Sequence, residues 1–320
     1  MKESRNLLSI YDLTEEEIYF LIDRARVLKR NRSLNMTVCP LSGKKIGLIF
    51  EKSSTRTRVS FEVGIIDLGG YPIFMSSRDL QLGRGEPIKD TARVLSRYLD
   101  GVVIRTYEQE RIEEFARYFE KPVINGLTDL YHPAQILADI FTVYEIKSGE
   151  YGGGNKRKKK IRDIVKNLKI VYFGDVNNMA NSWVSLQSLL GFNLTLAVPQ
   201  GFKVDNRVEK EAKRHGGAFS VSHDKIAASK DADVITTDVF ISMGQEGDTK
   251  NSRKIEKLKP FIIDDAVVKT AGKDVVFLHC LPVHRNEEVT ESVFERFSEY
   301  VFEESENRLH IQKAVMEMLF

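Results

Sequence analysis

Phe50-Glu-Lys-Ser-Ser-Thr-Arg-Thr-Arg58, followed by Val-Ser-Phe-Glu62, joins an apolar strand, Ile46 to Phe50, to an amphipathic run. Val59, Val63 and Ile66 recur there at helical spacing, which predicts that they share the apolar face of a helix. Small hydroxyl residues and two arginines fill the junction. A helix start exposes unpaired N–H groups and the positive end of the peptide dipole. Hydroxyls and guanidiniums placed there can surround a phosphate. The segment has no glycine between Gly47 and Gly64 and no Gly-Lys-Ser/Thr, so it is not the glycine-rich nucleotide loop. A plain Ser/Thr helix cap with two solvated arginines would use the same residues, so the junction alone points to an anion without naming it.

Outward from this junction, strand-like and helix-like runs alternate. Residues 12–30 carry Ile18, Leu21, Ile22, Ala25 and Leu28 at helical spacing, with Asp12 as the expected cap and Glu15 three residues later. Lys45–Phe50 reads as a strand, Thr57–Leu68 and Thr91–Tyr98 as helices, and Gly101–Arg105 as a strand. Ile112–Phe119 reads as a helix, Pro122–Asn125 as extended, and Pro133–Lys147 as a helix. The second half repeats the rhythm, with strands at Lys169–Phe173, Leu194–Val198, Asp233–Thr236 and Val275–Leu278. Helices are expected at Asn178–Leu190, Val208–His215 and, last, Leu309–Leu319. Such alternation predicts parallel strands with crossover helices. Between the halves, residues 148–160 hold three consecutive glycines and then five basic residues, which suits an exposed connection. No aromatic residue interleaves the basic run, so it reads as a solvated face and not as a nucleic-acid arm.

At 320 residues the chain exceeds what one core usually holds. The expected fold is α/β: two doubly wound domains, each a central parallel sheet flanked by helices. Apolar content of 42% fills two cores, and 29% charged residues keep the surface wet. A net charge of +2 argues against a dedicated nucleic-acid binder. Two cysteines, Cys39 and Cys280, are too few for a disulfide scaffold. Met1-Lys-Glu-Ser-Arg precedes no apolar signal core, and no apolar run reaches membrane length. The expectation is a cytoplasmic protein with reduced thiols and no membrane partner.

Ligands of open α/β sheets collect beyond the carboxyl ends of the strands. Ser54, Arg105, Asn178, Asp238 and Cys280 all lie at or just after expected strand ends. They come from both halves, so the cleft between the domains is the expected site. No Cys/His group has metal-ligand spacing, and no metal or organic cofactor is expected. After Gly174 no Gly-x-x-Gly follows, so a dinucleotide is not expected either.

The junction string resembles the carbamoyl phosphate motif of the aspartate and ornithine carbamoyltransferases. Two further strings match in the family's order: His132-Pro-Ala-Gln135 with Ile-Leu-Ala-Asp139, and His279-Cys-Leu-Pro282 with Val-His-Arg-Asn-Glu-Glu288. The three span most of the chain. The resemblance implies a carbamoyl phosphate-binding domain over residues 1–147, with helix 309–320 packing back on it, and an ornithine-binding domain over 148–308. It places Ser54, Thr55, Arg56 and Thr57 around the phosphate, and completes the pocket with Arg105, His132, Pro133, Gln135, Cys280, Leu281 and Arg308. Arg56, Arg105, His132 and Cys280 are the implied catalytic residues. Alone, His132 before a proline would read as a helix-start or packing histidine.

For the second substrate, the resemblance favours the ornithine branch. Asp238-Val-Phe-Ile-Ser-Met-Gly244 resembles that branch's distinctive loop, with Asp238 on the α-ammonium and Ser242 and Met243 closing over the substrate. Asn178 supplies donor and acceptor groups that suit an amino acid's carboxylate. Cys280 also matches the ornithine branch, where it is the candidate, as a thiolate, to receive or relay the amine's proton. Gln81, in the glycine-containing segment Gln81–Glu86, matches a residue that reaches into a neighbouring subunit, which implies a homotrimer or a multiple of trimers. The implied reaction is transfer of a carbamoyl group from carbamoyl phosphate to ornithine. Putrescine carbamoyltransferase is the alternative within the family, and a non-catalytic binding protein the alternative outside it. The latter would be expected to lack Arg56, His132 or Cys280, and all three are present.

Overall fold

The computed structural model describes residues 5–76, 85–151, 160–241 and 249–320. Its contacts divide the chain into two units. One comprises the residues up to Leu137 together with Asn307–Phe320, and the other comprises Ala138–Glu306.

In the first unit the order is α1 (Glu15–Ser33), β1 (Lys45–Phe50), α2 (Thr55–Asp67), β2 (Tyr71–Ser76), α3 (Ile88–Leu95), β3 (Gly101–Arg105), α4 (Gln109–Tyr118) and β4 (Val123–Leu127), then the start of α5 (Pro133–Ser148). The sheet is wholly parallel, in the order β2-β1-β3-β4. All five residues of β3 are buried, and only Lys45 of β1 is exposed. Near-continuous apolar strands of this kind belong to a sheet covered on both faces. The chain leaves β1 toward β2 on one side, and β3 lies on the other. The ends of β1 and β3 therefore flank the switch point where an open sheet leaves a crevice.

Two local expectations are corrected here. The cap of α1 is Thr14, whose hydroxyl accepts from the Glu17 N–H in a capping box. Asp12 instead closes the preceding turn by accepting from the N–H groups of Leu8 and Ser9. Its carboxylate is engaged upstream, so the helix starts two residues later than its pattern implies. On α2, Val59 and Ile66 are exposed, and the buried face is Thr57, Phe61, Gly64 and Ile65. Gly64 explains the rotation. A Cβ there would lie 3.0 Å from Met316 Cε and 3.3 Å from Lys313 Cγ, so the glycine lets the last helix approach closely.

The second unit runs α6 (Ile161–Val165), β5 (Lys169–Phe173), α7 (Asn178–Leu190), β6 (Asn193–Ala197), α8 (Asn206–Arg214), β7 (Phe219–Ser222), α9 (Lys225–Ser229), β8 (Val234–Thr237), α10 (Thr249–Leu258), α11 (Asp265–Thr270), β9 (Val276–His279) and α12 (Glu291–Leu319), whose residues from Asn307 belong to the first unit. Its sheet is also parallel, in the order β7-β6-β5-β8-β9. Val171, Phe173, Ile235, Phe277, Val293 and Phe294 form part of one buried cluster against it. Here the switch point lies between β5 and β8, and the loops after those strands carry Asp175-Val-Asn-Asn178 and Asp238.

Most expected elements appear within a few residues of their expected ends. The edge strands β2 and β7 do not stand out in the sequence: β2 contains Pro72, tolerated at an edge, and β7 is four residues with an exposed middle. The last helix starts at Glu291 and not at Leu309. Most of the connection at 148–160 lies outside the described residues.

Candidate active site

The first constellation starts at the junction. Ser54 caps α2, accepting from the Thr57 N–H at 3.3 Å, with extended backbone (φ −163°) ahead of the helical turn. Thr55, Arg56 and Thr57 form the first turn, where the dipole and the N–H groups of Thr55 and Arg56 favour an anion. The two arginines part company. Arg58 stacks on the Phe74 ring at 3.6 Å and pairs with Glu62 at 2.9 Å. The charge of Arg56 instead reaches His132.

Arg105 ends β3 and is only 4% exposed. Its carbonyl accepts from the Glu51 N–H at 2.8 Å, which ties it to the residue after β1. A register shift between Ile104 and Arg105 offsets β4 at this point. The Arg105 guanidinium approaches Thr57 Oγ1 at 3.5 Å, and Arg308, from α12, donates to the same oxygen at 2.9 Å. Arg308 also donates to Gln135 Oε1 at 2.9 Å. One threonine hydroxyl thus gathers two buried guanidiniums. Thr57, expected as a phosphate ligand, also organises the arginines.

His132 stands beside them. The turn before it is fixed by Thr128, whose N–H donates to the Tyr131 carbonyl at 2.9 Å and whose hydroxyl accepts from the Tyr131 N–H at 3.1 Å. The His132 carbonyl accepts from Gln135 and Ile136 as α5 begins. Burial, then the charges of Arg308, Arg105 and Arg56, hold the imidazole well below the ordinary histidine pKa. His132 is therefore a neutral ring next to three guanidiniums. This arrangement suits an anion, and a neutral imidazole can donate to an oxygen that gains charge.

The second constellation lies in the other unit. Asn177 caps α7, its Oδ1 accepting from Met179 N at 2.9 Å and Ala180 N at 3.3 Å. Tyr172 donates to the same oxygen at 3.0 Å, and the Asn177 amide donates to Asp238 Oδ2 at 2.6 Å. Asp238 Oδ1 accepts from Val239 N at 2.8 Å and from the Cys280 thiol at 3.1 Å. Asn178 begins α7 next to this network. Asp175, largely buried, pairs with Lys254 at 2.6 Å; burial raises its pKa against the pull of Lys254.

His279 and Glu288 support the Cys280 turn and are both fully buried. His279 Nδ1 accepts from the Leu281 N–H at 3.0 Å, so the ring proton sits on Nε2 and donates to Glu288 at 3.1 Å. The His279 N–H donates to Glu304 at 2.9 Å. Leu281 is held at φ +56°, a region unfavourable for a residue with a Cβ, and its peptide bond to Pro282 is cis. Burial, with the carboxylates of Asp238, Glu304 and Asp139, pushes the Cys280 thiol well above its ordinary pKa. This corrects the expectation of a thiolate: the surrounding charge is negative, and the thiol is a donor.

Within the first unit, Thr57, Arg105, His132, Gln135 and Arg308 come together, with Arg56 near enough to act on His132. Within the second, Asp238 and Cys280 bond directly. Gln81, Ser242 and Met243 lie outside the described residues. The sequence reading missed Asn177 and Tyr172. A tyrosine in the middle of an otherwise apolar strand, followed five residues on by a cap asparagine, was the available signal.

Residues 5–145 match the family model described as aspartate/ornithine carbamoyltransferase, carbamoyl-P binding domain, and residues 166–319 match its Asp/Orn binding domain. The ornithine carbamoyltransferase of Geobacter sulfurreducens is 49% identical over 316 residues, covering 98% of this chain and 99% of that protein. That of Pyrococcus abyssi is 44% identical over 321 residues, covering 99% and 96%. Among solved structures, the anabolic ornithine carbamoyltransferase of Campylobacter jejuni matches with a TM-score of 0.88 at 40% identity, covering 98% of each chain. The enzyme of Pyrococcus furiosus matches with a TM-score of 0.87 at 43% identity, covering 98% and 96%. Two family models that together span most of the chain, and relatives this similar over their whole length, leave one assignment: the chain belongs to the aspartate/ornithine carbamoyltransferase family.

Proposed function

We propose that this protein is an ornithine carbamoyltransferase, transferring the carbamoyl group of carbamoyl phosphate to the δ-amine of L-ornithine to give citrulline and phosphate. The observation that carries this reading is the gathering of Arg105 and Arg308 on one Thr57 hydroxyl beside a neutral His132. It is a site made for a compact dianion with an adjacent carbonyl.

In this reading the phosphate sits on the N-terminal turn of α2, held by Ser54, Thr55, Arg56 and Thr57, with Arg105 and Arg308 behind. Gln135 steadies Arg308. As the amine attacks the carbamoyl carbon, charge moves to the carbamoyl oxygen. Donors fixed beforehand at His132, Arg105 and Arg56 stabilise that charge more than they stabilise the substrate. The new bond is C–N, and the bond that breaks is C–O to phosphate. The attacking amine must be neutral, although a free alkylammonium group has a pKa of roughly 10. The site therefore takes up the neutral form, the ammonium proton having gone to solvent, and the proton shed as the C–N bond forms goes to the departing phosphate. Asp238 holds the α-ammonium, with Asn178, Ser242 and Met243 around the rest of the amino acid. The family resemblance assigns Cys280 and Leu281 to the carbamoyl group, and in this reading Cys280 acts as a neutral donor.

The same reading includes a homotrimer in which the Gln81 segment completes a neighbour's site. The outward apolar residues Val59, Ile66, Tyr71 and Ile73 of the first unit support it, because a neighbour would cover them. The reading also places the enzyme in the cytoplasm, where the free thiols of Cys39 and Cys280 stay reduced.

The test is a colorimetric assay for citrulline with purified, chelator-treated protein, supplied with carbamoyl phosphate and either ornithine, putrescine, aspartate or acetylornithine. Transfer to ornithine above all others is expected. Preference for another amine, or activity restored only by added metal, would overturn the proposal.

A further inference from the structure

Among the described residues Asp238 accepts from three donors, and two of them are easy to rationalise. Val239 N follows it in the chain, and Cys280 lies at the end of the adjacent strand β9. The third, Asn177, belongs to another loop and does two things at once. Its oxygen caps α7 and takes the Tyr172 hydroxyl, while its nitrogen donates to Asp238 Oδ2 at 2.6 Å. The nitrogen meets a carboxylate and the oxygen meets two backbone N–H groups, so a flipped amide would lose the cap and the bond to Asp238. Tyr172 is buried, and burial with the nearby carboxylates of Asp238 and Asp175 raises its pKa well above the ordinary value. It remains a neutral phenol that donates to Asn177. Oδ1 of Asp238 already accepts two hydrogen bonds, and Oδ2 accepts one, from Asn177. Among the described residues Oδ2 therefore has the lesser load, and Asn177 decides where it points.

We infer that Asn177, oriented by the Tyr172 hydroxyl, is a positioning residue that aims Oδ2 of Asp238 at the α-ammonium group of the amino-acid substrate. The inference rests on the reading of Asp238 as the ammonium partner. Asn177 need not touch the substrate. It sets the carboxylate's rotation, so its loss should appear as weaker recognition of the ammonium group and not as a general loss of the fold.

The test uses variants of the full protein that separate the cap from the aim. Asn177→Ser keeps a good helix cap, because serine and asparagine cap about equally well, but a serine hydroxyl does not reach Asp238. Tyr172→Phe removes one hydroxyl at constant volume. Binding of L-norvaline, which has the α-ammonium and α-carboxylate but no δ-amine, is measured by calorimetry with carbamoyl phosphate present. Pentanoate, which lacks the ammonium, is the control ligand. Asn177→Ser should weaken norvaline about ten-fold, the range for a lost hydrogen bond to a charged group, and leave pentanoate and carbamoyl phosphate unchanged. The ornithine KM should rise with a smaller change in kcat, and Tyr172→Phe should shift both measures the same way by less. Unchanged norvaline affinity in Asn177→Ser, or equal weakening of norvaline and pentanoate, would overturn the inference while leaving the enzyme's reaction untouched. If Asp238→Asn also left norvaline binding intact, the ammonium role of Asp238 would fall, and this inference with it.

Discussion

The thiol of Cys280 donates to Oδ1 of Asp238 at 3.1 Å, across the ends of two neighbouring strands. The last paired residues of those strands are Thr237 and His279, and the two functional groups sit one residue beyond each. A parallel register thereby sets a thiol and a carboxylate side by side. The thiol occupies Oδ1, so in the proposed reading the ammonium group is left the other oxygen, Oδ2.

The first prediction uses this pair as its own probe. Neutralising the carboxylate with Asp238→Asn should lower the Cys280 pKa, because Asp238 is the main charge holding it up. Iodoacetamide at pH 8 should then alkylate Cys280 several-fold faster, with the exposed Cys39 as internal reference. The same variant should bind ornithine at least ten-fold more weakly and bind carbamoyl phosphate as before. Alkylation at an unchanged rate would contradict the charge assignment.

Arg56 is predicted to matter in a way Arg58 does not. Arg56→Ala should lower turnover by roughly a hundred-fold or more, the scale for losing a transition-state donor. Arg56→Lys should rescue little, because an ammonium does not copy the guanidinium fork. Arg58→Ala, which loses only a surface ion pair and a ring contact, should stay within about three-fold of normal. Steady-state kinetics on the three variants decides it; equal losses at both arginines would sink the distinction.

His132 predicts a pH signature in stability. Its folded pKa is depressed, so below the ordinary value of roughly 6.5 the unfolded chain binds a proton that the folded chain refuses. The contribution is fully present above that pH and is lost as pH falls below it, at up to about 1.4 kcal/mol per unit. Denaturant unfolding between pH 7.5 and 5 should show a shallower acid-side loss in His132→Gln than in the unaltered protein. Parallel curves would place the proton elsewhere.

The shared-site reading is checked by mixing. A variant lacking Leu82–Gly85 and an Arg56→Ala variant should each be inactive as homotrimers. After subunit exchange, some interfaces would join an intact loop to an intact Arg56, and partial activity should return. Exchange without recovered activity would refute a loop shared between subunits, and a monomer by light scattering would exclude it.

The sequence was most legible where one residue type served one purpose. Parallel strands announced themselves because they are buried on both faces, and β1, β3 and β5 each span the residues expected of them. The face of α2 was misread because valine and isoleucine were assumed to point inward. Gly64, with no side chain, marks the buried side, since what packs there is another helix. The candidate residues at strand ends followed from topology plus motif. Asn177 did not, because a capping asparagine looks the same in sequence whether or not its nitrogen also steers a carboxylate. The neutral state of the Cys280 thiol was hidden too, because it depends first on burial and then on the carboxylates of Asp238 and Glu304, which only the fold brings beside it.

The route of the chain through the first unit has a consequence for how the protein is made. Arg308 on Thr57, Lys29 on Asn307 at 2.8 Å, and Arg24 on Glu317 at 2.6 Å all join early residues to the final helix. The first unit therefore cannot close until α12 has been made, and the same helix carries Val293, Phe294, Phe297 and Val301 of the second unit's buried cluster, so both units wait for it. A chain cut before Arg308 would present the α2 junction without that guanidinium, and in the proposed reading would hold phosphate poorly.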